Sequence, residues 1–102
     1  MTTYKIEYKI NEALVEVKGH SGYADYGHDI VCASISTACI MTANLINKLD
    51  LCYNILDLVC DEGYFRLQIK TTDSVIENIF SNLIETLESL EKQYPKYLKL
   101  KN

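Results

Sequence analysis

His20 and Cys32 are the pair in this chain with the residue types to make a thiolate nucleophile and its base. His20 closes a run that alternates like a strand. Residues 21–28 form a loop carrying Gly22 and Gly27, and Cys32 opens a helix-like run. With Asp29 as N-cap and a helix over 30–48, Cys32 falls in the first helical turn. Unpaired backbone N–H groups and a partial positive charge there favour a thiolate and can hold an oxyanion. The Asp29 carboxylate opposes the first of these effects, so the net sign stays open. The loop is long enough for His20 to fold back onto Cys32, take its proton and later return it to a leaving amine. Asp29 or Asp25 can orient the imidazole. Ser36, one turn after Cys32 on the same helix face, can donate a hydrogen bond into the site.

The same residues admit plainer readings. A cysteine at the start of an apolar helix is by default a small buried hydrophobe. His20, His28, Asp25 and Cys32 make a metal-ligand set only at an irregular spacing that matches no known pattern, so no metal is expected. The glycines miss the nucleotide-binding fingerprints, and no cofactor is expected. From the residues alone the reading stops at a candidate thiol enzyme. Among the other cysteines, Cys39 and Cys60 lie in apolar runs and read as core fillers. Cys52 sits near a turn with nothing to activate it.

The elements that must position this pair follow from periodicity. Over 3–10, Tyr4, Ile6, Tyr8 and Ile10 alternate with Lys5, Glu7 and Lys9, a half-buried strand. Asn11-Glu12 reads as a tight turn, and Val15 and Val17 alternate with Glu16 and Lys18 in a second strand over 13–19. Between Ile30 and Asn47 no charge appears, so the first helix reads as buried nearly all round, in the domain centre or partly in an oligomer interface. A second strand pair, 53–60 and 64–70, flanks Asp61-Glu62-Gly63. A second helix spans 74–93, with Ser74 and Glu77 at capping-box spacing and Pro95 as its stop. Its apolar stripe is Ile76, Ile79, Phe80, Leu83, Leu87 and Leu90. The expected fold is α+β and two-layered: two successive strand-strand-helix units form a four-stranded sheet with both helices on one face.

At 102 residues with 48% hydrophobic content, the chain fits a single domain over 1–102. The net charge of −4 argues against a dedicated nucleic-acid binder. Four of the ten basic residues, Lys92, Lys96, Lys99 and Lys101, crowd into the C-terminal stretch, which reads as a solvated tail. No uninterrupted apolar run of membrane-crossing length is expected, and the alternating N-terminus does not read as a secretion signal. No pair of cysteines has Cys-x-x-Cys spacing, so a structural zinc site is poorly supported, and without a secretion signal reduced thiols in the cytoplasm are expected.

The segment Gly19-His20-Ser21-Gly22-Tyr23-Ala24, followed by Gly27-His28-Asp29-Ile30-Val31-Cys32-Ala33, resembles the Prp family of bacterial ribosomal-processing cysteine proteases. That family carries a Gly-His-Ala/Ser-Gly motif, a Gly-x-Asp-Ile/Val-Val-Cys-Ala motif and a serine at the Ser36 position. Length and element order are also similar from end to end. The resemblance implies a homodimeric peptidase that removes an N-terminal extension from a large-subunit ribosomal protein, cutting after a Phe-Phe pair. By the same resemblance His20 and Cys32 are catalytic, Asp29 and Ser36 supporting. Residues 21–28, with Gly22, Tyr23, Tyr26 and Gly27, form a mobile loop against the substrate. Ser34 departs from the family's usual alanine, and His28 occupies a variable position. Tyr23, Tyr26 and the helix start are expected to line an apolar cleft for the phenylalanines. A non-catalytic ribosome-associated binding module, using the basic tail and the loop, is the competing reading.

Overall fold

The structure, a computed structural model, describes residues 1–19 and 26–102, with the side chains of 26–28 left outside the description. Expectations that fall on 20–25, among them His20, Gly22, Tyr23 and Asp25, lie outside the described residues. For Tyr26, Gly27 and His28 only the backbone is described.

The alternation read from the sequence produces an antiparallel hairpin of β1 (Thr2–Lys9) and β2 (Glu12–Lys18), in the register Tyr4↔Val17 and Ile6↔Val15. Its turn is Ile10-Asn11, with Asn11 at φ 61, a left-handed conformation that asparagine tolerates. Ile10 therefore belongs to the exposed turn rather than to the apolar face. β3 (Ile55–Asp61) and β4 (Tyr64–Lys70) make the second hairpin, with a bulge between Ile55 and Asp57. A short 3-10 turn at Cys52–Asn54 precedes it, so β3 starts two residues later than its apolar run suggests.

Among the described residues the sheet has five strands, not four, in the order β3-β4-β2-β1 and then β5 (Leu98–Leu100). β5 runs parallel to β1 with Thr2↔Leu98 in register. The basic tail is thus a sheet edge as well as a solvated segment. Lys99 and Lys101 are exposed, but Leu98 between them and Tyr97 is fully buried. The main-chain N–H of Lys101 donates to Tyr4 O at 2.8 Å, and Asn102 bonds both backbone groups of Ile6. Three residues are too short a run for alternation to register, which is why the charge density dominates the sequence signal.

The helices are α1 (Tyr26–Lys48) and α2 (Ser74–Gln93). α2 begins and ends as its pattern predicts, although Asp73 caps it, its carboxylate accepting from Val75 N at 2.8 Å. Alternate residues of the sheet (Tyr4, Val15, Val17, Phe65, Leu67, Ile69) and the inner sides of both helices (Val31, Ile35, Cys39, Ile46; Ile76, Phe80, Leu83, Leu87) merge into one buried cluster. The opposite sheet face carries charge. There Tyr64 Oη donates to Glu16 at 2.7 Å and holds its carboxyl below the usual range, and Arg66 bridges Glu16 and Asp57. The Tyr4 hydroxyl, inside the core, donates to Glu91 of α2 at 2.6 Å. Burial, reinforced by that carboxylate, raises its pKa.

α1 corrects two expectations. It is already helical at Tyr26, so Asp29 is inside its first turn and is not its N-cap, and Cys32 lies beyond that turn. The helix dipole favours acidic residues throughout the first turn, so an aspartate there does not locate the cap. The helix is also not buried all round: Ile30, Ile40, Met41, Leu45 and the following Leu49 are exposed. The 20 residues Asp29–Lys48 are long and apolar enough by composition to cross a membrane, contrary to the sequence reading, yet their inner side packs into the core cluster.

Candidate active site

Cys32 is half-buried on the side of α1 that looks toward the ends of β1 and β2. Successive turns of the helix bring Ile35, Ser36, Cys39 and Ile40 onto the same wall, as spacings of three and four residues require. The facing wall is Thr2, Val17 and Gly19 from the first hairpin and Phe65 with the Asp61–Tyr64 turn from the second. Between them lies a cavity of about 350 Å³, a size that admits one or two large side chains. Its lining is mostly apolar, and exposed Asp61 and Glu62 are among its residues.

The rim is held by two glycines. Gly63 has φ +75, a left-handed backbone that a side chain would strain. A Cβ on it would also stand 2.5 Å from Gly19 O. The absent side chains let the two backbones approach, and Gly19 N donates to Gly63 O at 3.0 Å. This bond ties the end of β2, the position just before His20, to the β3–β4 turn.

Of the expected site residues, the structure brings Cys32 and Ser36 together on one cavity wall. Asp29 is exposed one turn earlier on the same helix. The first-turn N–H groups lie at 26–29, so the N–H of Cys32 is not among the unpaired donors that were expected to hold an oxyanion. The apolar lining comes from Val17, Ile35, Ile40 and Phe65, residues that sequence reading assigned to the core or passed over. Thr2 was missed as well: it stands before the first clean alternation and nothing in its neighbourhood marks it. Gly63 was read only as a turn residue. Among the described residues no three His, Cys, Asp or Glu side chains gather as a metal site.

The four cysteines are free and differ in setting. Cys39 is buried, and desolvation, helped by nearby Cys60, pushes its thiol up to about 12. It is therefore protonated and inert at neutral pH. Cys60 is exposed on edge strand β3 opposite Phe65, against the expectation of a core filler, because it borders the open cavity rather than the packed cluster. Cys52 is exposed and its thiol donates to Asn47 Oδ1 at 3.5 Å. Cys32 alone among the four has a hydroxyl partner, Thr2 Oγ1, at 3.7 Å among the described contacts.

A family model described as cysteine protease Prp matches residues 1–99. The chain is similar to the ribosomal processing cysteine protease Prp of Staphylococcus aureus (strain Mu50), at 27% identity over 101 residues, covering 96% of this chain and 92% of that protein. The crystal structure of the S. aureus protease in complex with a substrate peptide superposes with a TM-score of 0.83 at 25% identity, covering 99% of this chain and 98% of that one. A second S. aureus structure, with a covalently linked product peptide, gives a TM-score of 0.77 at 26% identity, over 98% and 97% of the two chains.

Proposed function

The chain belongs to the Prp family of ribosomal-processing cysteine proteases, and on that footing we propose that it is an endopeptidase with Cys32 as nucleophile and His20 as its base. The observation that carries this reading is the cavity shared by Cys32 and Gly19, since one peptide bond joins Gly19 to His20. His20 takes the thiol proton. Cys32 Sγ then attacks the scissile carbonyl carbon, and the C–N bond breaks as the imidazolium gives its proton to the leaving amine. Water, deprotonated by His20, hydrolyses the thioester and frees the thiol. A covalently linked product in the S. aureus relative accords with such an intermediate. Asp29, relieved of a capping role, serves as the acidic group orienting the imidazole. Ser36 adds a hydroxyl on the cavity wall, and Gly22 and Tyr23, which precede Tyr26 and Gly27 at the start of α1, serve to contact the peptide.

The substrate is the N-terminal extension of a large-subunit ribosomal protein precursor in the bacterial cytoplasm, cut after a Phe-Phe pair. The mostly apolar lining of the cavity suits a phenylalanine ring, and the exposed Asp61 and Glu62 attract a basic protein. A peptide spanning a Phe-Phe-Ala junction is expected to yield two products whose masses place the cut between the second Phe and the Ala. A cut elsewhere, or none, overturns the substrate assignment.

The enzyme acts as a homodimer. Exposed Met41 and Leu45, one turn apart on α1, form an apolar strip, and a second copy of the chain covers it. Sedimentation at tens of micromolar is expected to give twice the 11.7 kDa chain mass, reduced to one chain by Met41→Glu. A wild-type particle of a single chain contradicts the dimer.

A further inference from the structure

The hydroxyl beside the candidate nucleophile is built in, not incidental. Thr2 Oγ1 lies 3.7 Å from Cys32 Sγ, within the longer reach of hydrogen bonds to sulfur. Thr2 is 2% exposed, at the first position of β1. Its N–H donates to Tyr97 O at 3.0 Å and it stands in register with Leu98, so β5 fixes its backbone. On its other side Gly19 makes room for it: a Cβ there would come within 2.9 Å of Thr2 Cγ2 and closer still to Oγ1. A glycine at the end of β2 and a fifth strand at the sheet edge thus converge on where one hydroxyl sits.

We propose that Thr2 is a positioning residue for Cys32, its Oγ1–H donating to the sulfur once the thiol has lost its proton. A hydrogen bond to the charged form favours that form and fixes its direction. The donor biases the sulfur toward thiolate and aims it into the cavity. This rests on Cys32 being the nucleophile. It also supplies what the helix start does not, since α1 begins too early for the first-turn N–H groups to serve Cys32. Among the described residues, the other titratable groups on the cavity are Asp61, Glu62, Cys60 and Tyr64 from the second hairpin and Cys39 on the helix, with His20 following Gly19 in the sequence. All of them persist in a Thr2 variant, and comparison of Thr2→Val with Thr2→Ser separates the hydroxyl from them.

The test is the pH dependence of iodoacetamide labelling at Cys32, followed by peptide mapping in wild type, Thr2→Val and Thr2→Ser. Thr2→Val keeps the shape and removes the donor. Its labelling midpoint is expected to rise by about one pH unit, with kcat/KM near pH 7 falling about tenfold and recovering at higher pH. Thr2→Ser is expected to restore the wild-type midpoint. A structural role alone would lower activity equally at every pH and leave the midpoint in place. An unmoved midpoint in folded Thr2→Val overturns the proposal. Should the valine not fold, Thr2→Ala compared with Thr2→Ser reads the same difference. If Cys32→Ala still cleaves peptide, the underlying nucleophile assignment has failed. If cleavage needs Cys32 and the midpoint does not move, only the role of Thr2 has failed.

Discussion

Leu98→Ala is expected to cost about 2–5 kcal/mol of unfolding free energy, measured by urea titration, and to reduce peptide cleavage together with stability. Leu98 is fully buried in the core cluster although it comes from the last five residues of the chain. A domain of this size has about 5–15 kcal/mol in total, so the loss is a large fraction of it. The effect reaches the candidate active site by a short route. β5 holds the backbone of Thr2 through Tyr97 O, and Thr2 meets Cys32. Neutralising Lys99 and Lys101, which are exposed on the same segment, is expected to leave stability nearly unchanged. A Leu98→Ala variant within about 0.5 kcal/mol of wild type would mean that the tail is not part of the core.

Some features of this chain were legible in its sequence. Both hairpins and α2 were, because period-two and period-3.6 patterns there are long and each buries one face. The Asp61–Tyr64 turn was marked by Gly63, whose left-handed φ excludes most side chains. The start of α1 was not legible: an acidic residue stabilises any position of a first turn, so Asp29 pointed to the wrong boundary. Strand β5 was hidden by its length and by flanking lysines. That Cys32 and Ser36 share one cavity wall was legible from their helical spacing. Thr2 was not, because its relation to Cys32 is made by sheet register 30 positions away in sequence. Cys60 was misplaced because an apolar run cannot reveal that its strand is a sheet edge bordering an open cavity.

Cys32→Ala is expected to reduce cleavage of the Phe-Phe-Ala peptide by at least about a thousandfold while leaving the far-UV circular dichroism of the fold intact. On the proposed mechanism, removing the sulfur removes the atom that forms the thioester. The buried Cys39 thiol, pushed up to about 12, offers almost no thiolate at neutral pH. Cys52 is not among the residues lining the cavity. Cys60 is the one rival, since it is exposed and lines the same cavity as Cys32. The decisive measurement is therefore peptide mapping of the wild-type enzyme after reaction with a Phe-Phe chloromethyl ketone, with Cys32→Ala and Cys60→Ala as controls. A single adduct on Cys32, absent in Cys32→Ala and undiminished in Cys60→Ala, is the predicted result. An adduct on Cys60, or cleavage by Cys32→Ala at the wild-type rate, would contradict the assignment of Cys32 as the nucleophile.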